Sequence, residues 1–339
     1  MTIASSPAEA IYTVVGGGAL GGTLAAHLSL AGHPVQIVDT DGAHVAAIRR
    51  QGLTIESPTD RLEATVPAFE PTDAPDELGP VLLAVKSQAT EAAMRWITPR
   101  LGKDGYVASM QNGLNETAIA GHIGADRTII AFVDLFADVL EPGVIKDGGI
   151  GTIALGEYGG GAGGRVEKLA ADLSHWGSPI VSDNVSGFLW SKLAFGAMLT
   201  ASSFIDDDMS RVISENRRPM LGLAREIFQI SDALGLRLEA FDAFEPDDYR
   251  EGSSDVVVSE AFDSLCEWLA GQTKTRSGIW RDINVRKRPT EVPSHYTPVL
   301  KIADDCGIAT PRLREMITVI KELERGEVSM GQALLDRIA

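Results

Sequence analysis

A single lysine stands in an otherwise apolar run, FLWSKLAFGAML, at residues 188–199. Such a side chain either lays its apolar stem on the protein surface with the ammonium in water, or it carries a charge that serves chemistry. An ammonium beside a reacting carbonyl can hydrogen-bond the oxygen and protonate it as negative charge develops there. Lys192 is therefore a candidate general acid, with a surface lysine as the alternative.

The helix that we predict from near residue 186 places Phe188, Lys192, Gly196 and Thr200 four residues apart and hence on one face. A glycine inside a helix costs about 1 kcal/mol relative to alanine. Gly196 therefore indicates that a ligand or another helix approaches this face closely.

A glycine-rich turn, GGGALG, lies between an apolar strand and an apolar helix near the N-terminus. In this pattern Gly16 permits a tight turn, Gly18 lets the backbone approach a pyrophosphate, and Gly21 lets helix and strand pack closely. The start of the helix then faces the phosphates. We predict that Gly16, Gly18, Ala19, Leu20 and Gly21 bind a dinucleotide, the alternative being a glycine turn without a ligand.

An acidic residue, Asp39, ends the next strand. A carboxylate at this point can accept hydrogen bonds from both hydroxyls of the adenosine ribose, and it repels a 2′-phosphate. The next arginine is Arg49. The sequence therefore favours NAD(H) over NADP(H). The alternative role, a cap of the following helix, fits Asp41 better.

A second match to the same glycine spacing occurs at Gly159, Gly161 and Gly164, upstream of Asp183. Two residues, 157–158, separate it from the preceding apolar strand, and that strand belongs to a predicted hairpin. We therefore predict a surface turn here rather than a second nucleotide site.

The elements that must position these residues follow two patterns. Apolar strands alternate with helices of about a dozen residues in the first half, which predicts βαβ units and a parallel sheet; the strands are expected at 11–16, 33–39, 80–86, 106–113 and 127–133. Segment 143–158 instead predicts a hairpin around Gly148 and Gly149. From about residue 184 helical periodicity dominates. We predict an α/β fold, with a Rossmann dinucleotide-binding domain over residues 1–183 and an all-helical substrate and dimerisation domain over residues 184–339.

Composition excludes several classes of protein. Hydrophobic residues make up 44% of the chain and the formal net charge is -17, so binding to a phosphate backbone is not expected. The sequence has no apolar stretch of the roughly 18 residues that a membrane span needs and no signal peptide pattern, which predicts a cytoplasmic protein. Two cysteines, Cys266 and Cys306, are too few and too far apart for a metal cluster, and we predict no metal site.

Six segments, in order along nearly the whole chain, resemble the ketopantoate reductase (2-dehydropantoate 2-reductase) family: VVGGGALGG, LLAVKSQAT, MQNGLN, FLWSKLAF, RKRPTEV and CGIATP. The resemblance implies a Rossmann domain followed by a helical domain. It also implies reduction of a 2-keto acid with a nicotinamide cofactor, usually NADPH. We further expect a homodimer formed through the helical domain.

The resemblance also implies roles for individual residues. Lys192 would be the general acid, and Glu291 would bind and orient the substrate. Asn112 would lie by the nicotinamide and the substrate, and Lys86 would line the cofactor side of the cleft. From the residues alone, a helix-start carboxylate, a turn asparagine and a solvated lysine remain the alternatives.

The chain departs from the family where the substrate is held. Asparagines that often follow the lysine by one and two helical turns are replaced by Gly196 and Thr200. A serine-rich stretch becomes SGIWRD, which retains Ser277 and introduces the large Trp280. We expect Asn112, Gly196, Thr200 and Ser277 to line a substrate pocket that differs from the family's usual one.

The predicted function is that of an oxidoreductase that reduces a small, ketopantoate-like 2-keto acid by hydride transfer, with Lys192 and Glu291 as the catalytic residues. One alternative is a dehydrogenase for a different carbonyl, a 3-hydroxyacid or an imine on the same scaffold. Another is a non-catalytic protein that senses NAD(P).

Overall fold

The computed structural model describes residues 10–57 and 60–339. Contacts within the chain divide it into two compact units. The first, which we call the α/β unit, runs to Gln111 and continues over Asn115–Asp183. The second, the helical unit, comprises Asn112–Leu114 and Asn184–Ala339.

A ten-stranded sheet forms the α/β unit. Its strands are β1 (Tyr12–Val15), β2 (Val35–Val38), β3 (Leu53–Glu56), β4 (Arg61–Ala64), β5 (Ala68–Phe69), β6 (Val81–Leu83), β7 (Val107–Ser109), β8 (Thr128–Glu141), β9 (Val144–Glu157) and β10 (Pro179–Val181). Their order across the sheet is β4-β3-β9-β8-β7-β6-β1-β2-β5, with β10 also paired to β9. All pairs are parallel except β3 with β4 and β8 with β9. The predicted mostly parallel sheet is confirmed.

Five helices accompany the sheet: α1 (Ala19–Leu30), α2 (Gly42–Gln51), α3 (Thr90–Ile97), α4 (Glu116–Ile123) and α5 (Gly164–Asp172). Successive strand residues enter two separate cores. Leu82 of β6 belongs to one core, and its neighbours Val81 and Leu83 belong to the other. Burial on both faces explains why the central strands are apolar without alternation.

The predicted hairpin over residues 143–158 is wrong. Residues Val144–Glu157 form one continuous strand, whose antiparallel partner is β8, and the chain reverses just before β9 at Gly143, where φ is 81°. Gly149, with φ of 107°, lies instead at an irregularity of this pairing, where the register shifts between Leu135 and Ala137. An extra residue in one strand needs the same conformational freedom as a turn, so the glycines alone did not distinguish the two.

Eight helices form the helical unit: α6 (Val185–Ser202), α7 (Met209–Glu215), α8 (Arg217–Ala233), α9 (Asp255–Ala270), α10 (Gly278–Asn284), α11 (Val292–Asp305), α12 (Pro311–Arg325) and α13 (Gln332–Asp336). Helix α6 is the central one, and α7, α8, α10, α11 and α12 pack against it. Its apolar character all round predicts this buried position. The expected helical second domain is confirmed. None of the helices in the described ranges has both the length and the apolar content needed to cross a membrane.

Candidate active-site residues of the two units

Four neighbouring strands of the α/β unit, β7, β6, β1 and β2, run parallel and end at one edge of the sheet. The glycine turn follows β1 and Asp39 follows β2, while Lys86 follows β6 and Asn112 follows β7. The carboxyl edge of a parallel sheet is where open α/β folds bind their ligands. The topology therefore brings the glycine turn, Asp39 and Lys86 to one edge of the α/β unit.

The glycine turn has the shape that a dinucleotide requires. Gly16 has φ of 97°, and a Cβ there would lie 2.7 Å from the backbone nitrogen of Val85. A Cβ at Gly21 would lie 1.8 Å from the carbonyl oxygen of Gly16, whereas one at Gly18 would meet no atom within 4 Å. Gly16 and Gly21 are thus required by packing, and Gly18 leaves open space where α1 begins. A pyrophosphate fits this open helix start.

Asp39 holds the glycine turn from the neighbouring strand. Its Oδ2 accepts a hydrogen bond of 2.6 Å from the backbone N–H of Gly17, and its Oδ1 accepts one of 2.8 Å from that of Asp41. Each carboxylate oxygen retains acceptor capacity for a ribose hydroxyl. Asp41, in turn, caps α2 by accepting from the N–H groups of Ala43 and His44, which confirms the capping role predicted for it.

Arg49, the first arginine after Asp39 in the chain, is bound by other residues of the protein. Arg49 donates through Nη2 to Asp73 at 2.5 Å and through Nε to the carbonyl oxygen of Ala68 at 2.6 Å. The guanidinium also lies over the ring of Phe69. Arg49 thus has protein partners for two of its guanidinium nitrogens.

His44, which no sequence pattern indicated, supports the glycine turn through a hydrogen bond to its backbone. It is 4% exposed, its Nε2 lies 2.8 Å from the carbonyl oxygen of Gly17, and its Nδ1 accepts a hydrogen bond of 3.1 Å from the N–H of Gly143. Because Nδ1 accepts, Nε2 carries the proton and donates to Gly17. Gly143 lies 99 residues along the chain from His44, so no local pattern indicated the contact.

Lys86 and Asn112 sit on fixed stretches of backbone. Lys86 is half-buried and directly follows Val85, which lies against Gly16. Asn112 is exposed, but its neighbour Gln111 is buried and donates through Nε2 to the carbonyl oxygen of Val85 at 2.9 Å. The segments that follow β6 and β7 are therefore tied together at Val85 and Gln111.

The second glycine turn does stand between parallel strands, because α5 connects β9 to β10. A carboxylate of the protein already occupies its helix start. Glu157 forms an ion pair with Arg165, and a Cβ on Gly163 would lie 2.7 Å from Glu157 Oε1. The loop is largely exposed, and this arrangement agrees with a surface turn.

Lys192 lies on the one partly accessible stripe of α6. Fourteen of the 18 residues of this helix are buried. Lys192, Gly196 and Leu199 are half-buried and are spaced by four and three residues, hence on one face. The role of Lys192 as general acid stays a prediction.

The close approach of α11 to α6 explains why residue 196 is a glycine. A Cβ there would lie 3.0 Å from the hydroxyl oxygen of Tyr296 on α11, and this hydroxyl donates a hydrogen bond of 2.7 Å to the carbonyl oxygen of Leu193. Burial raises the pKa of Tyr296 well above its ordinary range, so the phenol keeps its proton. Thr200 is 1% exposed and donates to the carbonyl oxygen of Gly196 at 2.7 Å. Gly196 and Thr200 thus lie in the packing contact between α6 and α11.

Glu291 precedes α11, at the end of that helix nearest to its contact with α6. Its carboxylate makes no capping hydrogen bond, since the N–H of Val292 donates to Thr290 Oγ1 instead. Glu291 Oε1 lies 3.8 Å from His295 Nε2. The side chain is half-buried, and the helix start does not need it as a cap.

Ser277 occupies a structural position. It is 8% exposed, and its Oγ accepts a hydrogen bond of 3.2 Å from the N–H of Trp280 at the start of α10. The structure therefore gives Ser277 the role of a helix cap. Its predicted contact with substrate stays a prediction.

Comparison with known proteins follows the same division of the chain. The family model described as "Ketopantoate reductase PanE/ApbA" matches residues 12–160, and the model "Ketopantoate reductase PanE/ApbA C terminal" matches residues 184–324. The chain is similar to the 2-dehydropantoate 2-reductase of Halobacterium salinarum, with 26% identity over 92% of this chain and 98% of the relative. It is 31% identical to the enzyme of that name from Pyrococcus abyssi, over 63% of this chain and 70% of the relative.

Among solved structures, the fold is similar to that of a D-mandelate dehydrogenase determined with NADH and anilino(oxo)acetate. The TM-score is 0.78 and the sequence identity 19%, over 93% of this chain and 99% of the other. At this identity the likeness concerns the fold.

Proposed function

Because the chain belongs to the ketopantoate reductase family, we propose that it reduces the keto group of a small 2-keto acid to a hydroxyl group with Lys192 as the proton donor. The family assignment makes it an oxidoreductase of the 2-dehydropantoate 2-reductase type. The observation that carries the proposed role is the position of Lys192 on the accessible stripe of the otherwise buried α6.

A nicotinamide cofactor, when bound, supplies the hydride that adds to the keto carbon. The glycine turn from Gly16 to Gly21 would hold its pyrophosphate, and Asp39 would hold the adenosine ribose. As the carbonyl oxygen gains negative charge, the Lys192 ammonium would donate a hydrogen bond and then a proton to it. Hydride and proton together yield the 2-hydroxy acid, and the lysine regains its proton from water.

Glu291 would act on the substrate from the neighbouring helix. Tyr296 lies five residues after Glu291, and its hydroxyl binds the carbonyl oxygen of Leu193, the residue after Lys192. The hydrogen bond between Tyr296 and Leu193 therefore joins α11 to α6 close in sequence to both Glu291 and Lys192. We propose that Glu291 accepts a hydrogen bond from the substrate, which orients the keto group toward Lys192.

We propose NADH as the preferred cofactor, although NADPH is usual in the family. Asp39 offers two acceptors to the ribose hydroxyls and would repel a 2′-phosphate. Arg49, which could neutralise that phosphate, is held by Asp73 and Ala68. Both features favour the cofactor without the 2′-phosphate.

A carbonyl compound other than ketopantoate is a second candidate substrate. The positions at which relatives often carry asparagine are Gly196 and Thr200 here, and both are used between α6 and α11. No side-chain amide stands at either position to bind a substrate hydroxyl. A 2-keto acid with a less polar tail suits such a surface better.

The test follows oxidation of NADH and of NADPH, separately, with ketopantoate and a panel of other 2-keto acids. We expect turnover that Lys192→Ala lowers by about 10²- to 10⁴-fold in kcat. The matched control is Lys301→Ala, because Lys301 is an exposed lysine paired only with Asp305 at 2.7 Å. Equal activity of the two variants would remove Lys192 from the mechanism. Cofactor binding without turnover on any substrate would favour the NAD(P)-sensing alternative.

We also propose a homodimer formed through the helical unit. Val256 and Val257 at the start of α9 are 65% and 37% exposed and offer apolar surface to a partner. Light scattering on the purified protein would measure the mass, and a monomer at micromolar concentration would contradict the proposal.

A further inference from the structure

The helical unit contains a cavity of about 470 Å³ between α8 and the connection from α11 to α12. One wall is a face of α8 formed by Arg218, Gly222, Arg225 and Glu226, and Arg312 at the start of α12 also lines the cavity. The volume is within the range of small-molecule sites. The lining includes neither the glycine turn nor Lys192 nor Glu291.

Arg312 lines this cavity and packs its side chain against α8. Its Nε is buried and has no hydrogen-bond partner among the residues that the structure describes. Gly222 makes room for the guanidinium, since a Cβ there would lie 2.4 Å from Nε.

Glu226 does not accept a hydrogen bond from Arg312 Nε. Its carboxylate accepts hydrogen bonds of 3.0 Å from the backbone N–H groups of Arg312 and of Leu313. Arg312 Nη1 lies 3.7 Å from Glu226 Oε1, beyond hydrogen-bond distance. The carboxylate thus serves the start of α12 and also forms an ion pair with the Arg312 side chain.

Two further guanidinium groups line the cavity. Arg225 is held in place because its Nε and Nη2 donate to the carbonyl oxygens of Tyr249 and Arg250 at 2.9 and 3.0 Å. Arg218 is exposed, and within residues 10–57 and 60–339 no ion pair or hydrogen bond of its side chain occurs. One arginine is therefore fixed and one is available to close on a ligand.

The charge of the cavity differs from that of the whole protein. Three arginines face two carboxylates, Glu226 and Glu251, whereas the chain carries a net charge of -17. A concave surface with an excess of guanidinium groups concentrates anions locally. The planar guanidinium fork suits the paired oxygens of carboxylate and phosphate groups.

We propose that this cavity binds a small anion that carries a phosphate or carboxylate group, held by Arg218, Arg225 and Arg312. Such a ligand is distinct from the cofactor and from the keto acid of the proposed reaction, and the proposal does not depend on that reaction. It assigns a second binding site to the helical unit.

The experiment is calorimetric titration of the full chain with inorganic phosphate and, separately, with malonate, at constant ionic strength and with saturating NADH. NADH keeps the probe anions out of the glycine turn, and its own binding is followed by fluorescence. We expect saturable binding of at least one anion, weakened about tenfold or more by Arg218→Gln. The response to phosphate or to malonate identifies which group the site prefers.

Two variants make the outcome decisive. Arg218→Lys keeps the charge and should retain part of the affinity, while Arg211→Gln removes an exposed arginine that pairs with Glu215 outside the cavity and should change nothing. Absence of saturable binding of both anions would overturn the proposal. Equal losses in Arg218→Gln and Arg211→Gln would also overturn it, because they would indicate general charge screening. Failure of NADH to bind would count against the proposed reductase function and leave the comparison of variants intact.

Discussion

The Nε2 of His44 lies 2.8 Å from the carbonyl oxygen of Gly17, and the opposite ring nitrogen of this buried histidine binds the N–H of Gly143. One side chain therefore links the glycine turn after β1 to the turn between β8 and β9. The same Gly17 is bound through its N–H by Asp39. The turn proposed to hold the cofactor is thus fixed on both sides of one peptide unit by residues outside it.

This link predicts that His44 positions the cofactor site. His44→Leu should raise the KM for NADH several-fold with a smaller change in kcat, since the variant loses the support of Gly17 but none of the proposed catalytic groups. His44→Gln, which can both accept and donate, should restore part of the affinity. His122→Leu is the control, because His122 lies on α4 and is hydrogen-bonded to Glu91 of α3. An equal fall in kcat and in affinity, unrelieved in His44→Gln, would indicate a general loss of folding instead.

Cofactor choice should follow the charge of Asp39. Asp39→Asn removes the repulsion of a 2′-phosphate while it keeps one acceptor for Gly17. We expect the ratio of kcat/KM for NADPH to that for NADH to rise by about tenfold or more, as expected for the loss of a close like charge. The measurement is steady-state kinetics with both cofactors. Asp41→Asn, which keeps the helix cap, should leave the ratio unchanged, and an equal shift in both variants would contradict the assignment.

Two glycines of the turn should respond differently to alanine. Gly21→Ala places a Cβ 1.8 Å from the carbonyl oxygen of Gly16, so it should lower the melting temperature and abolish cofactor binding. Gly18→Ala meets no protein atom within 4 Å and should leave the melting temperature unchanged while it weakens NADH binding. Calorimetry and fluorescence titration measure the two effects. Normal NADH affinity of a folded Gly18→Ala variant would place the pyrophosphate elsewhere.

Tyr296 should contribute to stability through its hydroxyl. Tyr296→Phe leaves the carbonyl oxygen of Leu193 without this hydrogen bond inside the joint of α6 and α11. The loss should lower the free energy of unfolding by about 1 to 3 kcal/mol, measured by denaturant titration. Tyr158→Phe is the control, since Tyr158 makes an exposed contact of 3.3 Å with Thr117. No difference between the two variants would show that the buried hydroxyl is not needed there.

Much of this organisation follows from residue order. Apolar strands, helix-period segments and the GGGALG turn predicted a mostly parallel sheet with a nucleotide turn, followed by helices, because these patterns are local and each element needs only its own residues to be recognised. The apolar surroundings of Lys192 made it a candidate, and its role as general acid stays a prediction.

Contacts between distant parts of the chain required the tertiary structure. A bulge and a hairpin turn need the same glycines, so the turn at Gly143 rather than at Gly148 depended on the long pairing of β8 with β9. Gly196 indicated a close neighbour, but only the packing of α11 identified it as the Tyr296 hydroxyl. His44 meets Gly143 across 99 residues, and Arg312 meets Glu226 across 86. Such partners are set by how elements pack in space, which the local periods of a sequence do not encode.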